Sequence, residues 1–210
     1  MNVKTALVLA PHPDDGEFGC GGTIKKLTEN GCRVYYAAFS PCVASLPEGF
    51  DKDSLFRELK TATAHLGIKN EDVFTYDIPV RYFTDHRQII LEELVKLRKK
   101  IKPELVFMPN SNDIHQDHQV IYNEGIRAFK HSKLLGFELI WNSLKFVSNF
   151  HVKLEAKHIT AKAKAISEYK SQTFRYYASE AFLGSLANVR GVQVNTDFAE
   201  AFELIRWIED

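Results

Sequence analysis

Cysteine is sparse in this chain. Cys20, Cys32 and Cys42 are an odd number among 210 residues, without C-x-x-C spacing. That pattern argues against a disulfide framework and suits a reducing compartment. Charge imbalance is also missing: 27 Lys plus Arg stand against 27 Asp plus Glu, and no basic stripe is interleaved with aromatics. No nucleic-acid partner is therefore expected. Long apolar runs are absent too. The N-terminal "VKTALVLA" is far too short to cross a bilayer and lacks a cleavage-site pattern. No membrane span is expected, and the cytoplasm is the default location. No repeat, linker or low-complexity segment divides the chain.

What is present is an ordinary globular composition, 45% hydrophobic and 26% charged, long enough to bury one core. Residues 1–210 read as a single domain. Short β-rich runs alternate with helical patterns. Thr5–Ala10 reads as a buried strand, "GGTIKKLTEN" as a helix closed by Gly31, and Arg33–Phe39 as a second strand. "SLFRELKTATAHLG" reads as a helix with a glycine stop, and "DVFTYDI" as a third strand. "QIILEELVKLRKKI" is amphipathic with a cationic C-terminal end, and Pro103 then precedes a fourth strand, "ELVFMP". This alternation predicts an α/β fold: a Rossmann-like, mostly parallel sheet with helices on both faces. Beyond Gly136 the pattern loosens. "FELIWNSLKFVSNFHV" suggests two extended segments that could pair as a hairpin, followed by helices in "KLEAKHITAKAKAISEYK" and "EAFLGSLANV".

Ligands of open parallel sheets sit beyond the carboxyl ends of the strands. Two such loops are dense in ligand-type side chains. The first strand runs into "PHPDDGE" and the fourth into "NSNDIHQDH". Pro11 and Pro13 bias Ala10 and His12 away from helical angles, so His12 leaves the strand extended. Asp14 and Asp15 are neighbours, so their side chains point apart and can hold separate jobs; one of them could simply cap the following helix. His115 and His118 are three apart: on a helical turn they share a face, and in a loop they can still converge. One imidazole from each loop plus a carboxylate makes a three-ligand zinc site with a position left for water. Asp113 and Asp117 are candidate orienters of those histidines. His65, His86, His131, His151 and His158 read as solvated bystanders. "GCGG" does not complete a dinucleotide fingerprint, which would need glycine where Ile24 stands. Cys20 reads as a packing residue.

"APHPDDGEFGCGGTI" together with "NDIHQDH" resembles the LmbE-like (PIG-L) family of zinc-dependent N-acetylglucosaminyl deacetylases. The likeness extends through "IKPELVFMP", "YKSQ" and "RGVQVNTDFAEAF". It implies His12, Asp15 and His118 as metal ligands of one Zn2+ per chain, with other divalent ions as substitutes. It implies Asp14 as general base, and His115 as assisting acid oriented by Asp117. Arg57, Arg81 and Arg190 are candidates for contacting the sugar. The family tyrosine of Y-A-E-A-F is Phe198 here, which leaves Tyr176 or Tyr177 as substitutes. The implied reaction releases acetate and a free amino sugar from an N-acetylated sugar conjugate. A metallo-phosphoesterase and a catalytically silent metal- or sugar-binding module are the competing readings, and a homo-oligomer is left open.

Overall fold

The computed structural model describes residues 1–209. Its sheet begins with β1 (Thr5–Ala10), whose alternate side chains enter different cores. Ala6, Val8 and Ala10 face one layer, and Leu7 and Leu9 face the other. Period-two alternation of apolar residues on both faces is what a fully covered parallel strand requires. The first layer is built by α1 (Asp15–Glu29), α2 (Ser54–His65), α5 (Ala156–Ser167) and α6 (Glu180–Val192). The second is built by α3 (Arg87–Ile101) and α4 (Gln116–Ala128). In α3 the buried residues Ile90, Leu91, Leu94, Leu97 and Ile101 fall on one stripe. Lys102 ends that helix in the left-handed region, at φ 51°, and Pro103 follows.

The remaining strands are β2 (Arg33–Ala38), β3 (Val73–Thr75), β4 (Leu105–Pro109), β5 (Lys133–Phe137), β6 (Phe150–Leu154) and β7 (Phe198–Arg206). They form one seven-stranded sheet in the order β3-β2-β1-β4-β5-β7-β6. All pairings from β3 to β5 are parallel; β7 runs antiparallel to both its neighbours. The fold is thus the expected mostly parallel α/β sheet with helices on both faces. Strand order reverses at β1, which pairs β2 on one side and β4 on the other. That switch point opens a crevice beyond the carboxyl ends of β1 and β4, where the two ligand-rich segments emerge.

Three expectations are corrected. The hairpin expected between Phe137 and Val152 does not form: β5 and β6 are separated by β7, which hydrogen-bonds to both. The long-range partner wins because β7, at nine residues, offers both edges to shorter strands. The third strand shrinks to three residues. The first helix starts at Asp15 and is kinked at Cys20 (φ −147°, ψ 20°). After the kink, the N–H groups of Gly22 and Thr23 donate to Glu200 of β7, at 3.0 and 2.7 Å, and Lys162 pairs with the same carboxylate at 2.7 Å. The helix restart is therefore capped from the far end of the chain.

Candidate metal centre

Three atoms converge at the switch point. His12 Nδ1, Asp15 Oδ2 and His118 Nε2 form a triangle with all three sides 3.2 Å. A tetrahedral ion with bonds of about 2.0–2.1 Å places its donor atoms about 3.3 Å apart. The triangle fits that requirement. It is held from behind: His12 N–H donates to Asp15 Oδ2 at 2.8 Å, pinning the turn. The remote nitrogens of both rings face carboxylates, His12 Nε2 at 3.1 Å from Asp117 and His118 Nδ1 at 2.7 Å from Asp113. Each remote nitrogen can donate there, which leaves the facing nitrogen of each ring as the one that gives up its proton and turns its lone pair to a metal.

The electrostatics favour a cation at this place, a proton or a metal ion that replaces it. Burial disfavours charge on His118, but Asp15 and Asp113 outweigh it and push its pKa up to about 10. Burial likewise opposes charge on His12, and Asp15 with Asp117 raises its pKa nonetheless. Asp15 is held well below the usual carboxylate range, with burial overcome by His118 and His12. The cluster attracts positive charge into a buried place.

His115 stands at the N-cap of α4. Its Nδ1 accepts from the Asp117 backbone N–H at 3.2 Å, so the neutral ring carries its proton on Nε2. Burial, with His118 and His12 beside it, drives its pKa down to about 4. The donor nitrogens of His12, His115 and His118 also lie within 4.8 Å of one another, so the three histidines form a group able to hold a metal ion.

Asp14 takes a different direction from its neighbour. It is 4% exposed, stands at the N-cap of α1 without a side-chain capping bond, and receives Arg175 Nη1 on Oδ2 at 3.1 Å. Burial raises its pKa, with Arg175 pulling the other way. Behind it, Pro13 O is 2.7 Å from Tyr36 Oη and 2.8 Å from Tyr169 Oη. Those hydroxyls also meet Glu17, at 2.5 and 2.9 Å. Two tyrosyl protons cannot fill four oxygen–oxygen contacts, and a protonated Glu17 supplies a third. Burial accordingly pushes the Glu17 pKa up to about 8.

A cavity of about 230 Å³ opens over these groups, walled by Arg81, Trp141, Gln172, Arg175 and Tyr177. Trp141 stacks on Tyr177 at 3.9 Å between ring centroids. Of the three arginine candidates only Arg81 lines it. Arg81 sits at φ 74°, its backbone N–H donates to Asp117 Oδ2 at 2.7 Å, and its guanidinium lies 3.4 Å from Ser45 Oγ. Arg57 is paired with Asp51 on the surface at 2.7 Å, and Arg190 binds Glu138 away from the cavity. Asp117 is placed otherwise than expected, since its carboxylate faces His12 while only its backbone meets His115. His158 is no bystander: it is buried and accepts the Glu155 N–H at 2.9 Å, boxing the start of α5. Tyr177 reaches the cavity and Tyr176 is exposed. Trp141, Gln172 and Arg175 join the expected residues at the cavity; Gln172 closes the "YKSQ" segment, and no local sequence signal marks Arg175. No helix among the described residues is long and apolar enough to cross a membrane.

Residues 7–129 match the family described as PIG-L: GlcNAc-PI de-N-acetylase. The chain is similar to the diacetylchitobiose deacetylase of Thermococcus kodakarensis, 31% identical over 145 residues. That alignment takes in 65% of this chain and 53% of the relative, so the chain spans about half of that protein's length. Among solved structures, the N,N'-diacetylchitobiose deacetylase of Pyrococcus horikoshii superimposes with a TM-score of 0.80 at 22% identity, over 96% of this chain and 84% of that one. The 4-carboxy-2-hydroxymuconate hydratase of Pseudomonas putida does so with 0.76 at 19% identity, over 99% of each. At such identities the likeness concerns the fold, and a deacetylase and a hydratase share it. Function has to be argued from the site.

Proposed function

The chain belongs to the PIG-L (GlcNAc-PI de-N-acetylase) family, and from that premise we propose that it hydrolyses the acetamide of an N-acetylglucosamine-type sugar conjugate in the cytoplasm. The observation that carries this reading is the 3.2 Å triangle of His12, Asp15 and His118 with a second carboxylate, Asp14, standing outside it. Two imidazoles and one carboxylate suit a single Zn2+ with an open coordination position. His115 is the weaker candidate ligand, because one of its nitrogens already accepts a backbone N–H. Zinc, when bound, supplies a Lewis acid that polarises the acetamide carbonyl and eases deprotonation of water.

The chain's own groups do the rest. Asp14 takes the proton of the attacking water on Oδ1, the oxygen Arg175 leaves free. Its burial favours the protonated form and so favours that transfer. The water oxygen bonds to the carbonyl carbon, the C–N bond breaks, and Asp14 returns the proton to the departing amine. His115 is expected from the sequence to act as an imidazolium; its low pKa argues for a neutral ring that donates Nε2–H to the developing oxyanion. Asp117 orients His12 and, through its backbone, His115. Arg81 meets the substrate's polar edge, and the Trp141–Tyr177 stack offers an apolar face to a sugar ring.

The test is acetate release from a panel of N-acetylglucosamine conjugates, with elemental analysis of the same protein. Stoichiometric acetate and amine support the reading. Phosphate release from phosphorylated sugars, or tight sugar binding without turnover, would replace it.

A further inference from the structure

Asp14 raises a question that its own loop does not answer. Asp15, next to it, is aimed by the His12 N–H and by two imidazoles. Asp14 has no capping bond to α1, and its only side-chain partner among the described residues is Arg175, 161 positions away. A buried carboxylate with nothing to hold it is costly and free to choose among rotamers. Arg175 is itself held. Its guanidinium lies 5.7 Å from the centroid of Tyr177 and 5.9 Å from that of Phe174, and Tyr177 is stacked on Trp141. The side chain borders the cavity directly. It reaches Asp14 from the segment between α5 and α6, outside the stretch that matches the family, residues 7–129.

We propose that Arg175 is a positioning residue for Asp14, fixing Oδ2 so that Oδ1 faces the reacting centre. The proposal rests on the deacetylase reading for its kinetic consequences and on the 3.1 Å pair for its structural ones. One guanidinium nitrogen on one carboxylate oxygen leaves the other oxygen with its lone pairs open to the cavity. The aromatic pair keeps the guanidinium from following a substrate out of the site. Arginine does this better than lysine, because its planar fork has a fixed direction.

Arg175→Ala opens a hole that borders the cavity, which makes rescue a direct test. We expect kcat for acetate release to fall roughly 10- to 100-fold, with metal content unchanged and KM within about threefold. Free guanidinium at non-denaturing concentration should restore several-fold of the lost kcat. It should do nothing for the wild type or for Asp14→Asn. Arg175→Lys should fall between Arg175→Ala and the wild type. A loss confined to KM would make Arg175 a substrate contact and overturn the proposal, as would an unchanged kcat or the absence of rescue. Crystal structures of the wild type and Arg175→Ala give a readout independent of turnover. The Asp14 carboxylate should leave its wild-type rotamer in the variant, and an unmoved carboxylate would overturn the inference whatever the enzyme's substrate proves to be. A wild type that releases no acetate would overturn the deacetylase reading and leave Arg175 to be judged by those structures.

Discussion

Residues 5–128 and residues 133–206 are built by different rules, and the cavity lies between them. In the first stretch each strand hands on to the next through a helix and pairs in parallel. Both ligand-rich segments leave it at the switch point beside β1. In the second, the last strand inserts between two earlier ones and runs against both. The first supplies every donor of the metal triangle. The second supplies Arg175, Trp141 and Tyr177, which bond to Asp14 or wall the cavity. The difference teaches a division of labour: the chemistry is stored in compact local segments, and its aim and selectivity come from groups brought in over long distances. Changes at the site residues of the first region should therefore remove metal or reaction, and changes at those of the second should leave metal in place and alter rate or affinity.

The largest effect is expected from the metal itself. Prolonged chelation should bring acetate release to background, and added zinc should restore it, as followed by coupled acetate assay and elemental analysis. Undiminished activity in metal-free protein would break the comparison at its base. His115→Ala comes next. It should cost roughly 10²-fold or more in kcat, the scale of one oxyanion donor, with metal retained. Metal lost in step with activity would instead mean that the three-histidine set is the ligand set. Trp141→Ala, in the second region, should raise KM by at most about tenfold, as for one aromatic contact of about 1 kcal/mol, with kcat nearly unchanged. Arg57→Ala should be silent in both parameters, since its partner is a surface aspartate.

A separate effect falls on stability and not on turnover. Glu17 is raised from 4.5 to about 8 in the folded chain. Between those values the native protein keeps a proton that the unfolded chain has released. Its contribution is thus fully present below pH 4.5 and is lost as pH rises toward 8, by up to about 1.4 kcal/mol per pH unit. Glu17→Gln removes that contribution. The decline of Tm between pH 5 and 8 should be shallower in this variant than in the wild type, and equal slopes would show that Glu17 is ionised in its tyrosine cage.

The two regions also differ in how well the sequence reveals them. The strands β1, β2 and β4 and the helix α3 are written in local periodicity, because burial on both faces or along one stripe fixes each residue in turn. His12, Asp15 and His118 stand out because prolines, glycines and ligand-type side chains crowd the ends of two strands. The place of β7 between β5 and β6 has no such signal, since strand order depends on partners far apart in the chain. Arg175 has none either: an arginine among tyrosines looks like any surface cation until folding sets it against Asp14. Asp117 is expected from the sequence to orient His115 for a similar reason. Its sequence neighbour is His115, but the turn of α4 directs its carboxylate across to His12.

The central claim is that two adjacent aspartates divide the work, Asp15 holding the metal and Asp14 moving the proton. The most direct measurement is metal per chain and acetate release for Asp14→Asn and Asp15→Asn, prepared and assayed side by side. Each variant removes one negative charge from the same loop, so a general electrostatic effect would make them alike. The account predicts that Asp15→Asn is metal-poor and recovers part of its activity in excess zinc. Asp14→Asn should hold about one zinc per chain, lose roughly 10²- to 10⁴-fold in kcat, and gain nothing from added zinc. A metal-poor Asp14→Asn, or two variants that fail in the same way, would contradict it.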